Sequence, residues 1–196
     1  GMVGLTGGII GFVLTRLVGR RQTMHAQLLR AIRQDRLRVV YQPIVDLTTG
    51  RVTEAEALVR WTDDDNRSIP PDVFVKAAEE HGFVGALTRL VVRHVLEDFR
   101  DTMKRYPEFR VNVNIAAADL SDPGFLAMMD EALLGAGVMA TSLGVEITEG
   151  NTARQQEARE TIVRLRRRGH VVHIDDFGTG YSSLSYLHDL SVDSIK

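Results

Sequence analysis

Val171-Val172-His173-Ile174-Asp175-Asp176-Phe177-Gly178-Thr179-Gly180-Tyr181-Ser182-Ser183-Leu184 is an apolar run that ends in two adjacent carboxylates and then breaks into a glycine-punctuated turn. Neighbouring side chains on a strand point to opposite faces, so both acids can serve one site only if the strand stops there and the backbone bends sharply. Gly178 and Gly180 permit that bend. Adjacent carboxylates ending a strand call for cations, against the plainer reading of an acidic turn whose Asp side chains bond nearby backbone.

Working outward, the same pattern recurs. Val52 to Trp61 holds Glu54, Glu56, Leu58 and Arg60 on one parity and Ala55, Ala57, Val59 and Trp61 on the other. Arg110 to Ile115 sets Asn112 and Asn114 between Val111, Val113 and Ile115, and in Leu143 to Thr148 the polar Glu146 and Thr148 oppose Val145 and Ile147. A period of two marks strands with one face against apolar helices and the other converging on something polar. A barrel lumen fits this best, because the C-terminal ends of successive barrel strands meet at one mouth. Glu56, Asn114, Glu146 and Asp175 are then neighbours in space.

The segments between read as helices. Met24 to Arg36 is amphipathic, with Leu28, Leu29 and Ile32 on one face, and Pro70-Pro71 opens a helix that Gly82 closes. Further helices are expected from Val84 to about Arg105, near Asp122 to Leu134, and from Asn151 to Arg168. Strand alternating with helix means a parallel sheet. Val39 to Val45 is interrupted by Pro43, which suits an edge or unusual strand better than a central parallel one.

Composition bounds the chemistry. The 196 residues, 44% hydrophobic and 26% charged, suffice for one soluble domain with a sizeable core. A net charge of -2 gives no footprint for DNA or RNA. With no cysteine, disulfides, zinc-thiolate sites and thiol nucleophiles are excluded, and the clustered Glu, Asp and Asn favour hard ions such as Mg²⁺ or Mn²⁺.

Met2 to Thr15 is uncharged and rich in Gly, Val, Leu and Ile, and Arg16, Arg20 and Arg21 follow it. It is too short to cross a bilayer unaided, since about 20 residues are needed. Residues 1–22 read as the end of a transmembrane helix with a basic flank on the cytoplasmic side, or else as a buried helix or leader. Residues 23–196 form the second unit, which the first reading places at the inner membrane facing the cytoplasm.

Tyr41-Gln42-Pro43-Ile44-Val45, Glu56-Ala57-Leu58-Val59-Arg60-Trp61, Val113-Asn114-Ile115, Glu146-Ile147-Thr148-Glu149 and the stretch from Asp175 to Leu184 together resemble the EAL-domain family of cyclic di-GMP phosphodiesterases, over about Ala26 to Lys196. The resemblance implies a TIM-like (β/α) barrel whose first strand is antiparallel, which accounts for Pro43. It implies that Glu56, Asn114, Glu146 and Asp175 hold one divalent cation and Asp176 a second, for hydrolysis of cyclic di-GMP to linear pGpG. Arg60 matches the phosphate-contacting arginine, Gln42 and Leu58 the nucleotide groove, Glu149 the brace of the loop after Asp176, and Lys196 the lysine that orients the attacking water. On the residues alone, Arg60 could instead neutralise Glu54 or Glu56, Glu149 could be a capping or solvent-facing acid, and Lys196 a frayed end. The family's barrel runs on through two further strand-helix units carrying another acidic ligand and a glutamine, so the chain is expected to be a fragment cut at both ends. Homodimerisation through 177–190 is expected by analogy. The alternative is an inactive EAL domain that acts as a cyclic di-GMP receptor or interaction module. None of the six histidines has a metal-like spacing; His173 is expected to line the barrel and the others to serve helix surfaces.

Overall fold

A computed structural model describes residues 24–148, 156–175 and 192–195. Helix α1 (24–33) leads into an antiparallel pair, β1 (Arg38–Val45) and β2 (Val52–Thr62), and β2 is prolonged by a two-residue return strand, β3 (Ser68–Ile69). There follow α2 (Pro71–Glu80), α3 (Val84–Arg105), β4 (Arg110–Asn114), the short α4 (Ala117–Leu120) and α5 (Phe125–Ala136). A 3-10 turn (Ala140–Ser142), β5 (Leu143–Thr148), α6 (Gln156–Arg167), β6 (Val172–Asp175) and β7 (Ser194–Ile195) complete the order. The sheet runs β1-β2-β4-β5-β6-β7, with β2, β4, β5, β6 and β7 parallel and β1 reversed, and the short β3 pairs antiparallel with β2 off this path. This is the expected α/β barrel-type arrangement with an antiparallel first strand; among the described residues β1 and β7 are its two edges. Pro43, opposite Ala55, therefore costs no central ladder bond.

The period-two reading places the core. Ala55, Ala57, Trp61, Val111, Val113, Leu143, Val145, Ile147, Val172 and Ile174 are buried on the face that meets the helices. Trp61 packs edge-on against Phe74 of α2 at 5.9 Å between ring centres, and α3 contributes Leu87, Val91 and Val95 to the same cluster.

Helix ends follow local chemistry. Pro71 starts α2, and Gly82 at φ 71° follows it. The helix expected from Asp122 instead begins at Phe125, because Asp122 accepts a bond from the Gly124 amide and holds a turn there. Of the helix expected over Asn151 to Arg168, α6 covers Gln156–Arg167 and 151–155 lie outside the described residues. The same holds for residues 1–23, 176–191 and Lys196, and so for the 1–22 segment and the 177–190 dimer contact. Among the described residues no helix is long and apolar enough to cross a membrane.

Candidate active site

Because β2, β4, β5 and β6 are parallel, their ends bring widely separated residues to one mouth. Glu56, Leu58 and Arg60 lie on the inner face of β2, and Asn114 is the last residue of β4. Asn114 Nδ2 donates to Glu56 Oε1 at 2.9 Å. Glu146 is the register partner of Asn114 on β5 and is buried, with 1% of its surface exposed. Asp175 ends β6 opposite Thr148. Gln42 pairs with Glu56 across the antiparallel ladder, and Val40 with Leu58.

A layer of polar side chains lies one step below this mouth. Glu54 accepts from Arg110 Nη1 at 2.7 Å and from Asn112 Nδ2 at 2.8 Å. Arg110 and not Arg60 neutralises Glu54; Arg60 Nη1 donates to the Val59 carbonyl at 3.0 Å. The layer fits because position 144 is glycine: a Cβ there would lie 2.0 Å from Asn112 Oδ1 and 2.8 Å from Arg110 Cδ. His173 continues the layer beside Glu146, with Nδ1 2.5 Å from Ser194 Oγ. His170 departs from the expected helix-surface role. It is buried at the entry to β6, where Nδ1 donates to the Leu143 carbonyl at 2.8 Å and burial pushes its pKa down.

A cleft of about 440 Å³ opens from the mouth between the ends of β2 and β4. Glu56, Leu58, Arg60, Asn114, Thr148 and Asp175 line its strand side, while Asp72 and Val75 of α2 and Leu87 and Thr88 of α3 form the opposite wall. Gln42 and Glu146 are not part of the lining. A larger groove, about 680 Å³, lies outside the sheet beside α3 and α5 and contains none of the strand-end residues.

Asp119 supports the wall of the cleft and had no period-two signal to reveal it. Its Oδ2 accepts from Thr88 Oγ1 at 2.8 Å and from the Ala116 amide at 3.2 Å, tying the turn after Asn114 to α3. Burial raises its pKa, and the Thr88 bond offsets part of the rise. A serine or threonine at position 116 would have completed a capping box with Asp119 and made the spacing readable; Ala116 hides it.

The donor set is carboxylate and amide oxygen, as hard divalent ions require. Among the described residues no group of three His, Asp or Glu side chains is gathered as tightly as an ion needs. Asp176, Glu149 and Lys196 lie outside the described residues.

The EAL-domain family model matches residues 25–196. The chain belongs to the EAL-domain family. This EAL domain is 37% identical, over 196 residues, to the probable cyclic di-GMP phosphodiesterase PdeB of Escherichia coli strain K12, covering 99% of this chain and 38% of that protein. It thus spans well under half of that relative. In structure it is similar to the PaMucR phosphodiesterase in its c-di-GMP complex, with a TM-score of 0.79 and 28% identity, over 88% of this EAL domain and 71% of that chain. An EAL enzyme solved in its cGMP-bound form shares the fold, at a TM-score of 0.83 and 23% identity over 98% of this chain and 55% of the other.

Proposed function

We propose that this EAL domain hydrolyses cyclic di-GMP to linear pGpG with the help of two divalent cations, Mg²⁺ or Mn²⁺. The observation that carries the reading is the Glu56–Asn114 pair at the mouth of a cleft that Asp175, Leu58 and Arg60 also line. Glu56, Asn114, Glu146 and Asp175 are the residues that would hold one cation, with Asp176 serving a second. When bound, such ions polarise phosphoryl oxygen and supply a water acidic enough to attack near neutral pH. Arg60 offers a planar fork for a phosphate oxygen at the cleft wall. Leu58 and Gln42 border the nucleotide, Lys196 orients the attacking water, and Glu149 braces the loop beyond Asp176. Val75, Leu87 and Val91 give the helix side of the cleft an apolar stretch beside Asp72 and Thr88, and water kept off that stretch strengthens the charge interactions next to it. In this reading the segment that ends near residue 22 holds the domain at the inner membrane, and the domain pairs with a second copy through 177–190.

The test is product formation by the purified chain with Mg²⁺ or Mn²⁺, followed by chromatography of cyclic di-GMP and pGpG. Glu56→Ala and Asp175→Ala should each lower turnover by at least about a hundredfold, an electrostatic loss of the size seen when one preorganised group is removed. Full activity in either variant would refute the site.

A further inference from the structure

The end of the sheet opposite the cleft is built from the β1–β2 turn and the turns entering β4, β5 and β6. Exposed apolar side chains concentrate there. Val45, Leu47, Val52, Tyr106, Leu134 and Met139 make up most of the large apolar residues that stand exposed among the described residues, and Leu47 and Leu134 are 98% and 84% exposed. Leu47 sits in a firm turn, because Asp46 Oδ1 accepts from the Thr48 and Thr49 amides at 2.8 Å. The turns are contiguous. Glu54 is in register with Arg110, which bonds the Thr141 carbonyl at 3.0 Å, and a Cβ on Gly169 would lie 3.7 Å from Thr141 Cγ2.

Cations are interleaved with these apolar groups. Arg51, Lys104, Arg105, Arg164 and Arg167 are exposed and form no ion pair among the described residues. Lys104 Nζ lies 3.3 Å from where a Cβ of Gly137 would be, beside the turn that carries Met139. Two acids at this end are paired, Asp130 with Arg168 and Asp193 with Arg166, while Asp46, held as the anion by its own turn, and the exposed Glu108 stand against the five cations. Apolar protrusions among unpaired cations match a surface that is hydrocarbon inside and negatively charged outside. A protein partner would more often meet a flatter apolar core with a polar rim.

We infer that this end of the barrel is a peripheral docking face for an anionic lipid surface, with Leu47 and Leu134 entering the interface and Arg51, Lys104 and Arg105 meeting headgroups. The cleft then opens away from the bilayer, toward dissolved nucleotide. The face is distinct from the apolar N-terminal segment, and it stands whether or not the cleft hydrolyses cyclic di-GMP.

The absence of cysteine permits a local readout on the full chain. Leu47→Cys and, separately, Leu134→Cys carry an environment-sensitive fluorophore, and the exposed Val73→Cys on α2 at the cleft end serves as control. With phosphatidylserine-containing vesicles both labels should shift to the blue and brighten severalfold; pure phosphatidylcholine should have little effect. Added salt should reverse the change, and the control should stay wet. Arg51→Glu combined with Arg105→Glu should weaken the response at least about tenfold, since each basic residue near an anionic surface contributes about 1 kcal/mol. Labels at 47 and 134 that stay wet on anionic vesicles, or respond equally to both lipids, overturn the inference even if the chain binds by another segment. A shift that follows protein concentration without vesicles also overturns it and gives the face to a second copy of the chain.

Discussion

A methyl group at position 144 would need the volume now filled by Asn112 Oδ1 and Arg110 Cδ. Both side chains hold Glu54, through Asn112 Nδ2 and Arg110 Nη1, and Glu54 lies two residues before Glu56 on the same face of β2, so the disturbance reaches the candidate site through the strand itself. Gly144→Ala is expected to cost about 1–3 kcal/mol, as overpacking does. Thermal unfolding checks it, at roughly 2–4 °C of melting temperature per kcal/mol for a chain this long. Asp119 makes a different statement. Its pKa is raised by burial, so the folded state holds the proton more tightly than the unfolded chain does, and stability falls as pH rises above the ordinary carboxylate value of about 4. Asparagine can accept the same bonds from Thr88 and Ala116 without ever ionising. Asp119→Asn should therefore melt at the same temperature or higher at pH 7, with a flatter dependence of melting temperature on pH from about 4 upward. A variant less stable at pH 7 with an unchanged slope would contradict this.

At the scale of elements, the strands were legible because alternation is imposed by burial on one face, as Ala55 and Ala57 against Glu54 and Glu56 show. What escaped were elements too short to have a period. The Ser68–Ile69 return strand, the Ala117–Leu120 helix and the 3-10 turn before Leu143 are fixed by tertiary contact and local bonds. The residues that meet at the strand ends could be named from sequence, whereas the Arg110 pairing to Glu54 and the Asp119 brace could not, since each joins segments whose relative register no local pattern states. The close of α1 is another such case. Asp35 takes a left-handed φ of 55° and binds Arg93 Nη2 at 2.6 Å and His94 Nε2 at 2.7 Å, and Arg93 foremost lowers its pKa to about 2. A depressed carboxylate stabilises above its unfolded pKa and loses that contribution as pH falls from about 4 to about 2. Asp35→Gly keeps the backbone conformation and removes the charge. It should leave α1 in place by circular dichroism while abolishing that part of the acid sensitivity, and acid unfolding curves identical to those of the parent would refute the assignment.

At the scale of the whole molecule, the two ends of the sheet are chemically different: one gathers carboxylates and an arginine around a cleft, the other presents apolar turns and unpaired cations. The reversed first strand has a further effect, on the order of assembly. β1 and β2 are joined by the short Asp46–Arg51 turn, whereas Glu54 and Arg110, its neighbour on β4, stand 56 residues apart. Loop closure becomes dearer with length, and hairpins form in about 1–10 μs, far ahead of long-range parallel pairing. In pulse-labelling hydrogen exchange during refolding, amides of β1 and β2 should gain protection before those of β5 and β6, and simultaneous protection would exclude this order. The strand bearing Glu56 is then the template on which the later strands register, so the first residue of the site to reach its place waits for chain not yet folded.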